Sequence, residues 1–541
     1  MQTLHDAFAA ARAAAPQAAF LAESALSGGR EWTFAQAGSE VDRLAALYGR
    51  AGWGAGHRVA LGVGNHPRHF LHFLALNRLG ASIVPLNPDH RGAEIRYALG
   101  HSQARLAVCA GPRRDAVRDA IAADPALAWL PVVDVDAFGD ELPPAPTRAA
   151  APRGPGGVGR GPAAPGDAEL AILYTSGTTG RPKGCVLTNA YALGAGAWYR
   201  DLGGRFDWRH GQDRLLNPLP VFHMNCGIVS LAVAILTRNG LVVPDRFHAA
   251  TWWEDCVRSR ATAIHYLGIM PPALFKQPPS DWERRHAIRF ALGAGCDPTL
   301  HAAFEARFGF PLVEVWGMTE TGRVLADHIE PRRVHTRAFG RAVGSLEARV
   351  VDDADRDVPD GMPGELVVRC AGADPRLGFF REYLDDPEAT ETAWRGGWFH
   401  TGDVVTRDET GMLHFVDRRK DMVRRSGENI SASEVEAVLA VHPAVLRVAV
   451  IPVPDAMRDE EVMAVVVPAE GAAPDAATAQ ALVRHCKAEL AYYKAPGWVA
   501  FRESLPVTPT NKIQKNRIFA DGEDPCAAAV DCRAMKRRDA R

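Results

Sequence analysis

Residues 169–184 read ELAILYTSGTTGRPKG. The first seven form a short apolar run of the kind that makes a buried strand. They lead directly into Thr175-Ser176-Gly177-Thr178-Thr179-Gly180-Arg181-Pro182-Lys183-Gly184, with four hydroxyls, three glycines and one lysine in ten residues. Glycine lets a backbone approach a phosphate closely and aim N–H groups at it. The hydroxyls add donors, and the lysine adds a compact positive charge. A Ser/Thr/Gly surface turn would explain the composition but not the buried strand feeding it. The Walker loop is excluded by count: from Gly177, its second glycine position holds Pro182 and its Ser/Thr position holds Gly184.

Outward from this loop the chain alternates helical and strand-like patterns. Residues 32–52 have helical spacing, 57–64 read as a buried strand, 66–81 as a helix and 82–88 as a strand and turn. That alternation gives an α/β class. A Pro/Gly/Ala-rich stretch, 143–166, reads as a surface connection, because the same patterning resumes after it. Residues 343–415 are rich in strand and turn signals. After Asp417 the pattern shifts to short α and β segments, enough for a small independent domain. Residues 519–541 show no period and read as a mobile tail.

The 541 residues are 47 % hydrophobic and 23 % charged, with a net charge of −2. This excludes a disordered chain and gives no global electrostatic reason to bind nucleic acid. The run 229–237 is too short to span a bilayer. Nine scattered cysteines without a C-x-x-C pair fit a reducing cytoplasm. His66, His69 and His72 could ligate a metal, but packing or solvated histidines are the preferred reading. Lysine occurs only eight times, against 54 arginines, and three of the eight (183, 420 and 512) fall in chemical motifs.

YTSGTTGRPKG resembles, residue for residue, the signature of the class I adenylate-forming superfamily, which includes the AMP-forming acyl-CoA synthetases. Further motifs of that family follow in order. The resemblance implies an aromatic–histidine pair for the acyl pocket from LPVFHMN (219–225). It implies that ALGAGCDP (291–298), with Gly293, Ala294 and Gly295, lines the adenine and acyl sites; Cys296 replaces a common proline. In EVWGMTETG (314–322), Trp316 would stack on adenine beside Gly317 and Met318, Thr319 would contact the α-phosphate, and Glu320 would hold Mg2+. The loop residues Thr175, Ser176, Gly177, Thr178, Thr179, Gly180 and Lys183 would hold ATP phosphates. Asp403 of GWFHTGD would accept the ribose hydroxyls. In DRRKDMVRRSGENIS (417–431), Arg418 would contact the nucleotide, Lys420 would be the hinge, and Arg425, Ser426 and Gly427 would meet coenzyme A. Lys512 of PVTPTNKIQK would be the adenylating lysine. Asn511 stands where most relatives have glycine, and Lys515 is the lesser catalytic candidate.

The fold so implied is a large N-terminal domain, 1–416, of two sheet-and-helix layers plus a small β-barrel. A hinge at 417–420, a small α+β lid at 421–520 and a flexible tail at 521–541 follow. The implied reaction is acid plus ATP to acyl-AMP and pyrophosphate, then thioester formation with coenzyme A. Catalysis would rest on Lys512, Thr319, Glu320 and His223. Acetate-type relatives close the acyl pocket with Trp at the position of Gly317, so glycine implies an acid larger than acetate. His223, Asn225, Cys226, Gly268, Gly293 and Gly317 would line that pocket. The segments FHMNC and DRRKDMVRRSGENIS most resemble bacterial carnitine/crotonobetaine–CoA ligases, although Asn225 is neutral. Two alternatives stay open at this point: loading of a phosphopantetheine carrier protein and a catalytically idle nucleotide-binding regulator; in any of these readings two copies of the chain could pair.

Overall fold

The computed structural model describes residues 2–136, 138, 141–146, 165–175, 182–418, 421–425, 428–455, 458–490, 492–508, 512–520 and 522–536. Its backbone divides into two units: Met1–Ala348 with Val368–Phe399, and Arg349–Val367 with His400–Arg541. Most of the Pro/Gly/Ala-rich stretch, residues 147–164, lies outside the described residues, as do 176–181 of the phosphate-type loop.

The first unit holds two large sheets, each flanked by helices. One has eight strands in the order Leu325–Ala326, Leu312–Trp316, Phe290–Ala294, Ala263–Leu267, Arg214–Leu216, Gly240–Val243, Ala19–Glu23, Glu31–Thr33. Its middle strands are parallel, with Tyr266 beside Gly293 and Gly293 beside Glu314. Parallel neighbours need a crossover, commonly a helix. Pro298–Phe308 supplies one. Asp297 caps its start by accepting from Thr299 N–H, Pro298 opens it, and Gly309 ends it at φ +84°. Sheets of this kind are buried on both faces, so these strands read as apolar runs, not alternating ones. All the parallel strands finish at one edge, where Gly268, Ala294, Gly295 and Gly317 emerge.

The other sheet runs Glu382–Tyr383, Lys183–Thr188, Glu169–Thr175, Ser82–Pro85, Arg58–Gly62, Leu106–Cys109, Val132–Asp134. Glu169–Thr175 pairs antiparallel with Lys183–Thr188, and Thr175 lies opposite Lys183. The expected buried strand is therefore one arm of a hairpin whose connection is the Ser/Thr/Gly loop. The helix expected over 66–81 is Pro67–Arg78. His66 caps it by accepting from Arg68 N–H, while His69 and His72 are buried and Tyr48 Oη lies 2.8 Å from His72 Nδ1. Among the described residues no helix is long and apolar enough to cross a membrane, and all nine cysteines are free thiols.

In the second unit, Phe399–Arg407 pairs antiparallel with Leu413–Arg418, placing Asp403 opposite Arg418. A six-stranded sheet orders Glu428–Ser431, Met422–Arg425, Asp459–Pro468, Trp498–Phe501 and Val530–Asp531, with Val445–Asp455 also on Asp459–Pro468. Helices Ala432–Ala440 and Ala476–Glu489 cover it over a core that includes Val435, Leu439, Val462, Leu482 and Val499. The flexible tail expected at 521–541 is corrected here for residues 522–536. Val530 pairs with Val499 in the sheet, Cys532 is buried in the core, and Lys536 Nζ bonds to buried Glu461. A two-residue strand and one buried lysine leave no periodic trace in a sequence, so the segment looked patternless.

Candidate active site

The two ends of the phosphate-type loop are fixed by the hairpin. Lys183 Nζ sits 4.7 Å above the centre of the Tyr383 ring. The same tyrosine donates its hydroxyl to Glu320 Oε1 at 2.9 Å. Both Tyr383 and Glu320 are buried. An ammonium over an aromatic face and a phenol on a carboxylate are each favourable, so one ring ties the lysine to the acid. Burial, followed by the nearby Glu320 charge, pushes the Tyr383 hydroxyl well above its ordinary range, so it stays a donor. Phe380 N–H donates to Glu320 O, and Tyr191 Oη donates to Thr319 O at 2.7 Å. Thr321 Oγ1 donates to carbonyls within the same turn, at Met318 or Arg323. The 317–321 segment is thus anchored from several directions while Gly317 stays exposed and Met318 and Thr319 stay half-exposed. Among the described residues no three metal-ligating side chains cluster. A cation at Glu320 would therefore take one carboxylate and draw its other ligands from phosphate and water, which suits Mg2+.

Three glycines shape the strand ends. A Cβ at Gly268 would lie 2.1 Å from Gly295 O, and one at Gly293 would lie 2.3 Å from Tyr266 O. Gly295 itself has φ +85°, a left-handed conformation that favours glycine. Glu314 fastens this turn. Its carboxylate accepts from Gly295 N–H at 2.8 Å, from Cys296 N–H at 3.0 Å and from Tyr266 Oη. Burial raises the Glu314 carboxyl above its usual range against those three donors. Trp316 is 6 % exposed and tilted against Phe339. A side chain at Gly317 would meet Val324 Cγ1 at 2.8 Å.

Beside this edge lies an uncharged network. Asn217 Oδ1 accepts from Leu219 N–H, and Asn217 Nδ2 donates to Asn225 Oδ1 and Ser230 Oγ, all at 2.9 Å. His265 Nδ1 lies 2.7 Å from Asn225 Oδ1, and its Nε2 lies 2.9 Å from Tyr199 Oη. Burial lowers His265 to about 3 and His223 to about 4, so both rings are neutral at pH 7. The His223 ring packs on Phe222 with centres 4.5 Å apart. Cys226 is fully buried, and burial raises its thiol above the ordinary range.

In the second unit Asp403 is buried and ion-paired with Arg418, Nε lying 2.7 Å from its carboxylate. Asp417 accepts from Arg418 N–H, Ser431 Oγ and Ser433 N–H, and so holds the start of the helix at 432–440. Lys512 is exposed, with its N–H donating to Thr508 Oγ1 and Thr508 N–H donating to Lys512 O. Lys515 Nζ pairs with Glu436 at 2.8 Å. Lys420, Ser426 and Gly427 lie outside the described residues. Arg425 is a correction: its side chain is 5 % exposed and donates to Glu461 at 2.8 Å. A buried guanidinium already neutralised by a carboxylate is placed to hold its strand, not to meet a ligand.

Tyr383, Tyr191, Asp417 and Glu314 were not among the residues singled out from the sequence. Glu314 had a signal, a carboxylate two residues before Trp316 in a strand otherwise apolar. Tyr383 had none, since it lies 63 residues beyond its partner.

The profile of the AMP-binding enzyme family matches residues 8–383, and that of the AMP-binding enzyme C-terminal domain matches 434–512. A crotonobetaine/carnitine–CoA ligase of Citrobacter koseri is 31 % identical over 92 % of this chain and 95 % of its own. A sulfoacetate–CoA ligase of Cupriavidus necator is 33 % identical over 91 % and 92 %. The ATP-bound MatB of Rhodopseudomonas palustris superposes with a TM-score of 0.77 at 26 % identity, covering 95 % of this chain and 98 % of that one. A fatty acyl CoA synthetase of Mycobacterium tuberculosis gives 0.69 at 27 %, covering 95 % and 97 %. The chain belongs to the AMP-binding enzyme family. Within the class I adenylate-forming superfamily it is an AMP-forming acid–thiol ligase.

Proposed function

We propose that the chain joins a carboxylic acid larger than acetate to coenzyme A. In the first step an acid oxygen attacks the α-phosphorus of ATP and the α–β bridging P–O bond breaks, giving acyl-AMP and pyrophosphate. In the second the thiol sulfur attacks the acyl carbon, the bond to AMP breaks and the thiol proton is lost to water. The first step presses an anionic carboxylate against an anionic phosphate, so its barrier is largely electrostatic. Residues 175–180 and Lys183 cradle the phosphates, and Thr319 contacts the α-phosphate. Mg2+ on Glu320 would neutralise charge on the departing pyrophosphate. The adenine lies along Ala294, Gly295, Gly317 and Met318 beside Trp316. Asp403, oriented by Arg418, takes the ribose hydroxyls. Lys512 supplies the last positive charge to the adenylating step. The segment after Lys420, through Ser426 and Gly427, serves the thiol step. Arg425 supports it from the interior.

The observation that carries this reading is the chain Lys183–Tyr383–Glu320. It binds the lysine of a phosphate-type loop to a single buried carboxylate suited to Mg2+. The test is acid-dependent pyrophosphate release with ATP and Mg2+ over a panel of carboxylic acids. Lys512→Ala is expected to cut acyl-AMP formation by about 100-fold or more, the scale seen when one preorganised donor is removed. Conversion of supplied acyl-AMP to acyl-CoA should persist. Equal loss of both steps would overturn the division of labour, and no pyrophosphate with any acid would overturn the reading.

A further inference from the structure

The orientation of one side-chain amide is dictated by the groups around it. Leu219 N–H can only donate, so the atom it meets on Asn217 is the oxygen, and the other terminal atom is the NH2. That NH2 donates to Asn225, so the Asn225 atom it meets is Oδ1. Oδ1 only accepts, and the two hydrogens of Asn217 Nδ2 go to Asn225 and Ser230, so His265 Nδ1, 3.0 Å from that nitrogen, donates to Asn225 Oδ1 at 2.7 Å, which leaves Nε2 of the neutral ring to accept from Tyr199. The NH2 of Asn225 is therefore turned away from this network, and it has no hydrogen-bond partner among the described residues. Asn225 is half-buried, not sealed.

The direction it faces follows from the sheet. His265 lies in register with Leu292 on the parallel neighbour, so Leu267 and Ala294 share its face one alternation nearer the carboxyl ends. Ala294 is exposed. Asn217 directly follows the carboxyl end of Arg214–Leu216. Asn225 thus stands on the crevice side of a parallel sheet, where ligands of such sheets bind.

We infer that Asn225 is a specificity-determining residue that offers N–H donors to the tail of the acid, so the substrates are acids whose tails carry a hydrogen-bond acceptor. This rests on the reading of His223, Asn225 and Cys226 as part of the acyl pocket. The surrounding groups, Tyr199, Asn217, Ser230 and the neutral rings of His223 and His265, supply no negative charge. A cationic tail finds no counter-ion in this set, whereas a second carboxylate, a sulfonate or a ketone finds a donor. A donor left unpaired on loss of its partner disfavours the analogue that lacks the acceptor.

The experiment measures kcat/KM from pyrophosphate release with four acids: butyrate, 4-oxopentanoate, sulfoacetate and 4-(trimethylammonio)butyrate. For the wild type, 4-oxopentanoate or sulfoacetate should exceed both other acids by about tenfold or more. Asn225→Asp keeps an oxygen for His265 and Asn217 but replaces the outward NH2 by an anionic oxygen. It should lower the acceptor-tailed acids by about tenfold and raise the cationic one relative to butyrate. Asn225→Leu should flatten the preference. ATP binding measured by isothermal titration establishes that each variant is folded. Acid preferences that stay within twofold of wild type in both variants would overturn the inference while leaving ligation standing. No release with any of the four acids, or with the wider panel, would overturn the ligase reading and this inference with it.

Discussion

Tyr383→Phe isolates one bond beside the loop of residues 175–184. The ring remains beneath Lys183, and only the hydroxyl that donates to Glu320 at 2.9 Å is lost. Both partners are buried, so water does not readily replace it. A hydrogen bond to a charged group contributes about 1.5–3 kcal/mol. At 1.36 kcal/mol per tenfold, a loss felt fully in the transition state is about 10- to 150-fold in kcat/KM for ATP. Tyr383→Leu also removes the cation–π contact, about 0.5–2 kcal/mol more. The assay is pyrophosphate release at saturating acid, titrated with ATP at several Mg2+ concentrations. Tyr383→Phe should need more Mg2+ to reach half its maximal rate, and Tyr383→Leu should be slower still. A Tyr383→Phe enzyme within twofold of wild type at every Mg2+ concentration, with an unchanged melting temperature, would refute the claim that this ring couples the loop lysine to the carboxylate.

Gly268→Ala places a methyl 2.1 Å from Gly295 O. It should cost about 1–3 kcal/mol of stability and lower kcat/KM for the acid. Gly100→Ala, where nothing lies within 4 Å, is the control, and equal melting curves for the two would contradict the close packing described. Lys536→Met removes one partner of buried Glu461 but leaves Arg425, so a loss of about 1–3 kcal/mol is expected in chemical denaturation. Burial holds Lys536 at about 8, below its ordinary 10.5, despite Glu461 beside it. Between those pH values the unfolded chain binds more protons than the folded one, so this lysine's contribution to stability rises with pH. The wild-type denaturation midpoint should gain on that of Lys536→Met from pH 8 to 10, and a constant difference would refute the assignment.

The sequence carried the parts of the fold that rest on local rules. The strand at 169–175 was legible because a buried run ends in glycines and hydroxyls, and the Pro67–Arg78 helix because its apolar spacing starts at His66-Pro67. The motif order located the segments 219–225, 291–298 and 314–322, which lie near the strand ends. What stayed hidden depends on contacts between distant segments. Tyr383 reaches Glu320 and Lys183 only because its strand edges the sheet beside Lys183–Thr188. The facing of the Asn225 amide is set by Leu219, Asn217 and His265 acting in series. The family motif in which Arg425 sits implies a coenzyme A contact, and the Glu461 that pairs with it lies 36 residues later.

The docked end of the chain bears on biosynthesis. Among the described residues the small unit's sheet takes a strand from Val530 and Asp531, and Glu461 meets Lys536 as well as Arg425. Domains form as the chain is made, amino end first. The large α/β sheets can therefore assemble while synthesis continues, but this unit closes its interior only after residues 530–536 have been made. A nascent chain stalled before Lys536 leaves that side of Glu461 unneutralised, so the unit stays open to proteolysis until the segment 530–536 docks.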